Sequence, residues 1–379
     1  MKNSDTLCVH PISDEDKLKG SVTTAIFPSA AYNYMDGESQ YPGFYSTYNQ
    51  KRLGQIMANL EQGNWGMVFS SGMAAITTSI LSFLQHNDHI IFSRDLYGGT
   101  WKFAEEEFPK RGISCSYADN TLESFQSVLR RNTKVVYIET PSNPLLNIFP
   151  LKEIASFAKE HGLVTIVDNT FASPVNQLPL AHGIDISVHS GTKYLGGHKD
   201  LPFGALISNN INHKELIFST AKIYGGSLSP YQCYLAERSL KILSLRVRKQ
   251  NENALKPAEY LEENSLFKKV YYPGLSSHRD HQIATQQMLG FGGMISFELG
   301  VSPEQLTVFL KSLSIIQPAL SLGGVESLIC SPVTTSHRNL SCEQRHSLGI
   351  QGDLLRLSTG IEDADDLITD MKSAILKVT

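Results

Sequence analysis

The chain has 379 residues, of which 41% are hydrophobic and 18% are charged. These proportions are typical of globular proteins and exclude a disordered, collagen-like or coiled-coil chain. The length suffices for two or three domains or for one large α/β unit. The 33 Lys and Arg residues against 37 Asp and Glu residues give a net charge of -4, which provides no general attraction to nucleic acid or to an anionic membrane.

The cysteines and the first residues indicate a compartment. The 5 cysteines are widely spaced and include no CxxC pair, which argues against a disulfide framework or a zinc site and favours a reducing environment. Acidic residues, among them Asp5 and Asp14, stand where a secretory signal would need apolar side chains. No apolar stretch approaches the roughly 18 residues of a membrane span. We therefore predict a soluble cytoplasmic protein without a metal site, in which Cys330 is a small buried thiol.

Short apolar segments alternate with longer periodic ones, which predicts an α/β fold with a mostly parallel sheet. The predicted strands are 67–70, 90–92, 135–139, 164–167, 184–188 and 204–207, and the predicted helices include 74–84, 122–130 and 151–160.

The chain is predicted to have three parts. Residues 1–48 lack the alternation and form an N-terminal arm, and 49–250 form a large domain. A long helical pattern over 237–263 leads into a smaller α+β domain, 251–379, with the strand-like stretches KVYYP, GGMISFELG and LLRLS and a terminal helix over 363–377.

The stretch SSGMAAI combines a strand end with a helix start. Ser71 and Gly72 open an amphipathic helix whose first amides have no internal partners, and such a terminus favours a phosphate. Taken alone, the stretch is more often an ordinary serine-capped helix.

In VTIVDNT, an apolar strand delivers Asp168 to its carboxyl end, where open α/β sheets bind ligands. A buried carboxylate there needs a cationic partner. A capping role for Asp168 is an equally good interpretation of this stretch by itself.

The stretch DISVHSGTKYLGGHKD places Ser190, Thr192 and Lys193 just past a predicted strand. A lysine flanked by hydroxyl groups can form a Schiff base with an aldehyde cofactor while the hydroxyls hold its phosphate. A lone lysine is more often solvated, and His198 near glycines is more often structural.

A phosphate cradle, an acid and a lysine together are what pyridoxal phosphate requires. Their order resembles the Cys/Met-metabolism, or trans-sulfuration, family of pyridoxal-phosphate enzymes, which includes cystathionine γ-synthase, the cystathionine β- and γ-lyases and methionine γ-lyase. The resemblance extends from about Tyr41 to Glu362. It is carried by LEQGNWGMVFSSGMAAI, DLYGGT, ETPSNP, VDNTF, SGTKYLGGHKD, SLGGVESL and LRLSTGIED.

The resemblance implies roles for these residues. Lys193 is the Schiff-base lysine and mobile acid/base, Asp168 pairs with the pyridine nitrogen, and Tyr97 stacks on the ring, although without the family Tyr97 would be read as a core aromatic. The residues implied to hold the phosphate are Ser71, Gly72, Met73, Ser190 and Thr192. Tyr41 is implied to reach the cofactor of a neighbouring subunit.

Arg356 in LRLS is implied to bind the substrate α-carboxylate through a bidentate contact, with Asn143 and Ser321. A charge in the apolar run LLRLS is unusual and fits that role. The family further implies a fold type I pyridoxal-phosphate transferase, with a homotetramer built of dimers that share active sites.

The sequence departs from the family at the arm. The family pattern Tyr-x-Arg supplies a phosphate-binding arginine, whereas here Tyr41 is followed by Gly43 and, in the other alignment, Tyr45 by Thr47. The basic pair at 51–52 could compensate. We predict weaker cofactor retention than is usual for the family.

A second departure concerns the substrate. Members acting on cystathionine at Cγ often have a glutamate where this chain has Leu320, and CSPVTTSHRNLS keeps only His337 of the commoner pattern. The expected reaction is elimination or replacement at Cγ of a sulfur amino acid or an O-acylhomoserine, with Lys193 removing the Cα proton. Cystathionine β-lyase, methionine γ-lyase and O-acylhomoserine sulfhydrylase activities remain alternatives. A fold type I aminotransferase and a relative that has lost its cofactor are more distant ones.

Overall fold

A computed structural model describes residues 3–11, 20–35, 40–338 and 341–378. The larger sheet consists of β1 (Trp65–Phe69), β2 (His89–Ser93), β3 (Ser114–Ala118), β4 (Thr133–Glu139), β5 (Val164–Asp168), β6 (Ile186–Ser190) and β7 (Gly204–Ser208). Their order is β1-β7-β6-β5-β4-β2-β3. Strands β2 to β6 pair in parallel, and β7 runs antiparallel to β1 and to β6. The sheet is mostly parallel, as the sequence pattern predicts.

Helices cover both faces of this sheet. They are α1 (Ser4–Val9), α2 (Tyr48–Leu60), α3 (Gly72–Leu81), α4 (Gly98–Arg111), α5 (Leu122–Ser127), α6 (Leu151–Glu160), α7 (Ser173–Asn176), α8 (Ile211–Tyr224), α9 (Pro230–Leu240) and α10 (Leu243–Glu263), with 3-10 turns at Pro42–Phe44 and Pro179–His182. Helices α3, α4 and α8 pack on one face and α2, α5, α6, α9 and α10 on the other, so the strands are buried on both sides.

A smaller sheet follows. Its strands are β8 (Lys269–Tyr271), β9 (Met294–Glu298), β10 (Gln317–Pro318), β11 (Leu328–Cys330) and β12 (Leu354–Ser358). The order is β10-β11-β12-β9-β8, and only the β10–β11 pair is parallel. The accompanying helices are α11 (His281–Gln287), α12 (Pro303–Ser312), α13 (Cys342–Ser347) and α14 (Ala364–Ile375). A separate apolar core lies between this sheet and helices α10, α12 and α14.

The helical pattern over 237–263 proves to be two helices. Helix α9 ends at Leu240, and Ile242 has a non-helical backbone before α10 begins. The apolar pattern continues across this break because Leu240 and Leu243 pack in the same core cluster. Helix α10 runs through residue 250, where the buried amide of Gln250 donates to the Gly324 carbonyl oxygen at 2.7 Å. Helix α10 also packs in the apolar cores of both sheets, through Leu243 and Val247 in one and through Ala254 and Ala258 in the other.

Within the described ranges, no helix is both long enough and apolar enough to span a membrane. In the same ranges, no group of three or more His, Cys, Asp or Glu side chains is placed to hold a metal ion.

Candidate active site

The predicted site segments meet at one edge of the larger sheet. Because β7 is antiparallel to both β1 and β6, strands β1, β5 and β6 point the same way and their carboxyl ends share that edge. The start of α3 lies directly against the end of β6. A Cβ atom on Gly72 would lie 2.7 Å from the Cβ of Ser190, so only glycine permits this approach.

The amino terminus of α3 has the features of a phosphate cradle. The hydroxyl of Ser71 caps the helix by accepting from the amide of Ala74 at 3.1 Å. The amides of Gly72 and Met73 belong to the first turn, where intrahelical acceptors are lacking and the helix dipole favours an anion. The Thr192 hydroxyl accepts from the amide of Phe203 at 3.3 Å, which leaves its proton for donation to a phosphate.

Asp168 is the last residue of β5 and is buried. Its Oδ1 accepts from the amide of Thr170 at 2.9 Å, and its Oδ2 accepts from the hydroxyl of Tyr137 at 3.3 Å. Burial raises the pKa of this carboxyl, while the hydrogen bonds from Thr170 and the charge of His189 oppose the rise. A protonated ring nitrogen would supply the cationic partner that such a carboxylate needs.

Lys193 lies in the loop after β6, and its Nζ is 3.4 Å from the hydroxyl of Ser321. Burial lowers the pKa of Lys193, the charge of Arg356 lowers it further, and the charge of Asp168 acts in the opposite direction. The neutral amine is therefore more populated than in a solvated lysine, as a nucleophile and base requires.

The loop that carries Lys193 is held by a buried guanidinium. Arg246 of α10 donates to the carbonyl oxygens of Tyr194 at 2.7 Å and of Ser239 at 3.2 Å. Burial lowers the pKa of Arg246 to about 10. The sequence gives no sign of this role, because Arg246 stands with Arg248 and Lys249 at positions off the apolar face of the helical pattern, where charged side chains are usually solvated.

Arg356 of β12 is buried, with neutral partners. Its Nη1 donates to Oδ1 of Asn143 at 2.7 Å, and its Nη2 donates to the Ser321 carbonyl oxygen at 3.4 Å. Its Nε is buried and makes no hydrogen bond in the described part of the chain. A guanidinium with unused donors and no carboxylate among these partners is suited to a bidentate contact with a substrate carboxylate.

Tyr97 precedes α4, and 49% of it is exposed. Its amide donates to Oε2 of Glu139 at 2.7 Å. Glu139 is the last residue of β4 and pairs in register with Asp168. Burial, followed by the charge of Asp168, raises the pKa of Glu139 well above its usual value. The sequence analysis included the ETPSNP stretch in the family resemblance but assigned Glu139 no role. An acidic residue at the end of an apolar strand is a sequence signal that could have identified it.

The arm contains two candidate tyrosines. Tyr45 is buried, and its hydroxyl donates to the carbonyl oxygen of Gly225. Tyr41 is 47% exposed, and its ring packs edge-on against Phe44 with the ring centroids 5.1 Å apart. Arg52 forms a salt bridge of 3.2 Å with Glu237, so its guanidinium is already engaged.

Two further residues border the site. Leu320 is 64% exposed beside Ser321. His337 is buried, and burial together with the charges of Arg356 and Arg345 lowers its pKa to about 4. The imidazole is therefore neutral at neutral pH.

Comparisons with known proteins show the family of the chain. The family model described as Cys/Met metabolism PLP-dependent enzyme matches residues 5–376. A cystathionine beta-lyase of Lactococcus lactis subsp. cremoris (strain MG1363) is 41% identical over 100% of both chains. A cystathionine gamma-lyase of Bacillus subtilis (strain 168) is 40% identical over 98% of both.

A solved structure gives the same result. Cystathionine gamma synthase from Xanthomonas oryzae pv. oryzae, in complex with aminoacrylate and cysteine, is 36% identical and has a TM-score of 0.96 over 100% of this chain and 99% of that one. The mostly parallel larger sheet and the smaller second sheet are thus those of fold type I. The chain belongs to the Cys/Met-metabolism family of pyridoxal-phosphate-dependent enzymes.

Proposed function

We propose that this chain uses pyridoxal phosphate to eliminate or replace the leaving group at Cγ of a sulfur amino acid or an O-acylhomoserine. One observation carries the assignment of the base and of the carboxylate-binding group: the amine of Lys193 contacts the hydroxyl of Ser321, and the guanidinium of Arg356 contacts its carbonyl oxygen. A base and a carboxylate-binding group therefore face one substrate position. Gly72 against Ser190 supplies the close backbone approach that a cofactor phosphate needs.

When bound, pyridoxal phosphate draws electrons from the substrate and so weakens bonds at Cα and beyond. The rest is done by side chains of this chain. Arg356 and Asn143 bind and orient the substrate carboxylate, which fixes the direction of the Cα–H bond. The neutral Nζ of Lys193 accepts the Cα proton and later donates a proton to the leaving group. Asp168 holds a proton on the ring nitrogen by accepting its N–H.

Cleavage at Cβ is the second candidate. It is favoured by the Lactococcus relative, named cystathionine beta-lyase, which matches this chain over its full length. Leu320 provides no ion pair for the distal ammonium of cystathionine, so it gives no preference for Cγ over Cβ.

Mass spectrometry of the products formed from L-cystathionine tests the proposal directly. The enzyme is incubated with pyridoxal phosphate, and 2-oxobutanoate with cysteine is expected. Pyruvate with homocysteine would instead establish the β-lyase reaction. Lys193→Ala is expected to abolish turnover, and sustained multiple turnover by this variant would refute the assigned base. Cofactor regeneration by a 2-oxo acid without C–S cleavage would indicate an aminotransferase.

We further propose a homotetramer of dimers in which the arm reaches a neighbouring subunit. The exposed rings of Tyr41 and Phe44, 47% and 46% accessible, support this contact. Light scattering should give the mass of four chains, and a monomer would contradict it.

The five unpaired thiols support a cytoplasmic location.

A further inference from the structure

A buried carboxylate and imidazole lie behind the candidate site and have no part in the roles described above. Glu61 is 0% exposed and His189 is 1% exposed, and Oε1 of Glu61 is 2.5 Å from Nε2 of His189. The same oxygen accepts from Nδ2 of Asn169 at 2.8 Å and from the hydroxyl of Ser187 at 3.1 Å. Three donors on one carboxylate oxygen form a specific buried network.

The position of Glu61 makes a positive partner necessary. Glu61 is the capping residue at the carboxyl end of α2, where the helix dipole is negative and disfavours a carboxylate. A buried charge without a partner is costly. His189 is the titratable group that hydrogen-bonds to Glu61 among the described residues, so its imidazole is the partner placed to balance that carboxylate.

The network reaches Asp168 by two routes. Asn169 directly follows Asp168, and its side-chain amide donates to Glu61. Its backbone amide donates to the Val188 carbonyl oxygen at 2.9 Å. His189 directly follows Val188, the β6 residue that pairs in register with Asp168. The charge of His189 acts on Asp168. Among the described residues, the titratable groups that interact with His189 from other elements are Glu61 at the end of α2 and Asp168 on β5.

The orientation of His189 depends on Glu61. Its Nδ1 is buried and makes no hydrogen bond in the described ranges. The contact from Nε2 to Glu61 is therefore the strongest one that fixes the ring, since the hydroxyl of Ser187 lies 3.5 Å from the same nitrogen.

We propose that Glu61 and His189 are positioning residues that hold a positive charge behind Asp168, so that its carboxylate stays ionised opposite the ring nitrogen of the cofactor. The inference rests on the proposed role of Asp168. Both residues act on Asp168 through the pairing of β5 with β6 and through Asn169.

The test measures cofactor binding and spectrum in the full-length holoenzyme, independently of turnover. Glu61→Gln keeps the shape of the side chain and an oxygen acceptor but removes the charge, and His189→Gln keeps a donor toward Glu61 but cannot be a cation. Each is expected to raise the dissociation constant of pyridoxal phosphate about tenfold and to shift the pH midpoint of the visible absorbance of the bound cofactor by about one unit. Thr165→Val is the matched control, because Thr165 is buried on β5, the strand that carries Asp168, and its hydroxyl bonds to Asp185. This variant should leave the dissociation constant and the pH midpoint unchanged.

A double-variant cycle separates this role from general support of the fold. In the background of Asp168→Asn, Glu61→Gln should change the dissociation constant less than twofold, since the group it acts on is no longer charged. An equal effect in both backgrounds, or a wild-type constant and midpoint in both single variants, would overturn the inference. A wild-type protein that binds no pyridoxal phosphate would refute the cofactor site itself and the inference with it.

Discussion

The buried imidazole of His337 predicts a specific loss of stability in acid. His337 lies between β11 and α13, with its Nδ1 2.9 Å from the hydroxyl of Ser336. Burial first, and then the positive charges of Arg356 and Arg345, lower its pKa from 6.5 to about 4. Protonation in the folded state would place a buried cation near two arginines, so the native state binds this proton later than the unfolded chain does.

The sign and size of the effect follow from linkage. Below pH 6.5 the unfolded chain takes up the proton and the folded chain does not, so the free energy of unfolding falls as the pH falls toward 4. With these two values, the loss between pH 7.5 and pH 5 is about 2 kcal/mol, and it approaches about 3 kcal/mol once both states are protonated.

Urea unfolding at pH 7.5 and at pH 5, at one protein concentration and one pyridoxal phosphate concentration, measures this loss. In His337→Asn the loss should be smaller than in the wild type by about 2 kcal/mol, because the unfolded variant has no proton to bind there. His346→Asn is the control, since His346 is exposed and its replacement should leave the wild-type loss in place. An identical loss in His337→Asn and the wild type would refute the reasoning.

Substitutions at three other positions test the cofactor side of the site. Gly72→Ala should push α3 away from Ser190 and raise the dissociation constant of pyridoxal phosphate by at least about tenfold in equilibrium dialysis, because the helix terminus no longer meets the phosphate. Glu139→Ala removes the acceptor of the Tyr97 amide and should lower kcat/KM about tenfold, whereas Glu139→Gln keeps an oxygen there and should retain most of it. Gly43→Arg restores a phosphate-binding charge and should lower the dissociation constant about tenfold.

Each of these has a control and an opposing outcome. Gly352→Ala places a methyl group in open space and should bind cofactor as the wild type does, so equal binding by Gly72→Ala would contradict the cradle. Equal losses in the two Glu139 variants would show that the hydrogen bond is not what positions Tyr97. Gly43→Ala separates the added charge from the added side chain, and unchanged affinity in the arginine variant would dismiss the missing-arginine hypothesis.

The sequence predicts best the elements with the densest apolar patterns. The stretch LLRLS at 354–358 becomes β12, whose residues are all buried. Helices α4 and α8 were not predicted, since only three and two of their residues are buried respectively, and so few inward positions give a weak period. Helix α4 also begins with two glycines and contains Pro109, which further weakens the pattern.

The candidate site residues follow from the sequence, but the contacts between them do not. Lys193 and Asp168 follow from local strand-end patterns. The bond between Arg356 and Asn143 spans 213 positions, and the contact between Glu61 and His189 spans 128. Such pairs depend on sheet order, in particular on the antiparallel β7 between β1 and β6, and no local period encodes that order.

Strand β1 lies at the edge of the sheet, and its partner there is β7, with Trp65 opposite Ser208. During synthesis, β1 and the start of α3 leave the ribosome long before that partner exists. Gly72 therefore cannot lie against Ser190 until β6 and β7 have been synthesised, because two strands cannot pair before the second of them exists. The proposed phosphate cradle is accordingly incomplete until residue 208 has emerged, and the nascent chain must keep β1 from pairing with other chains until then.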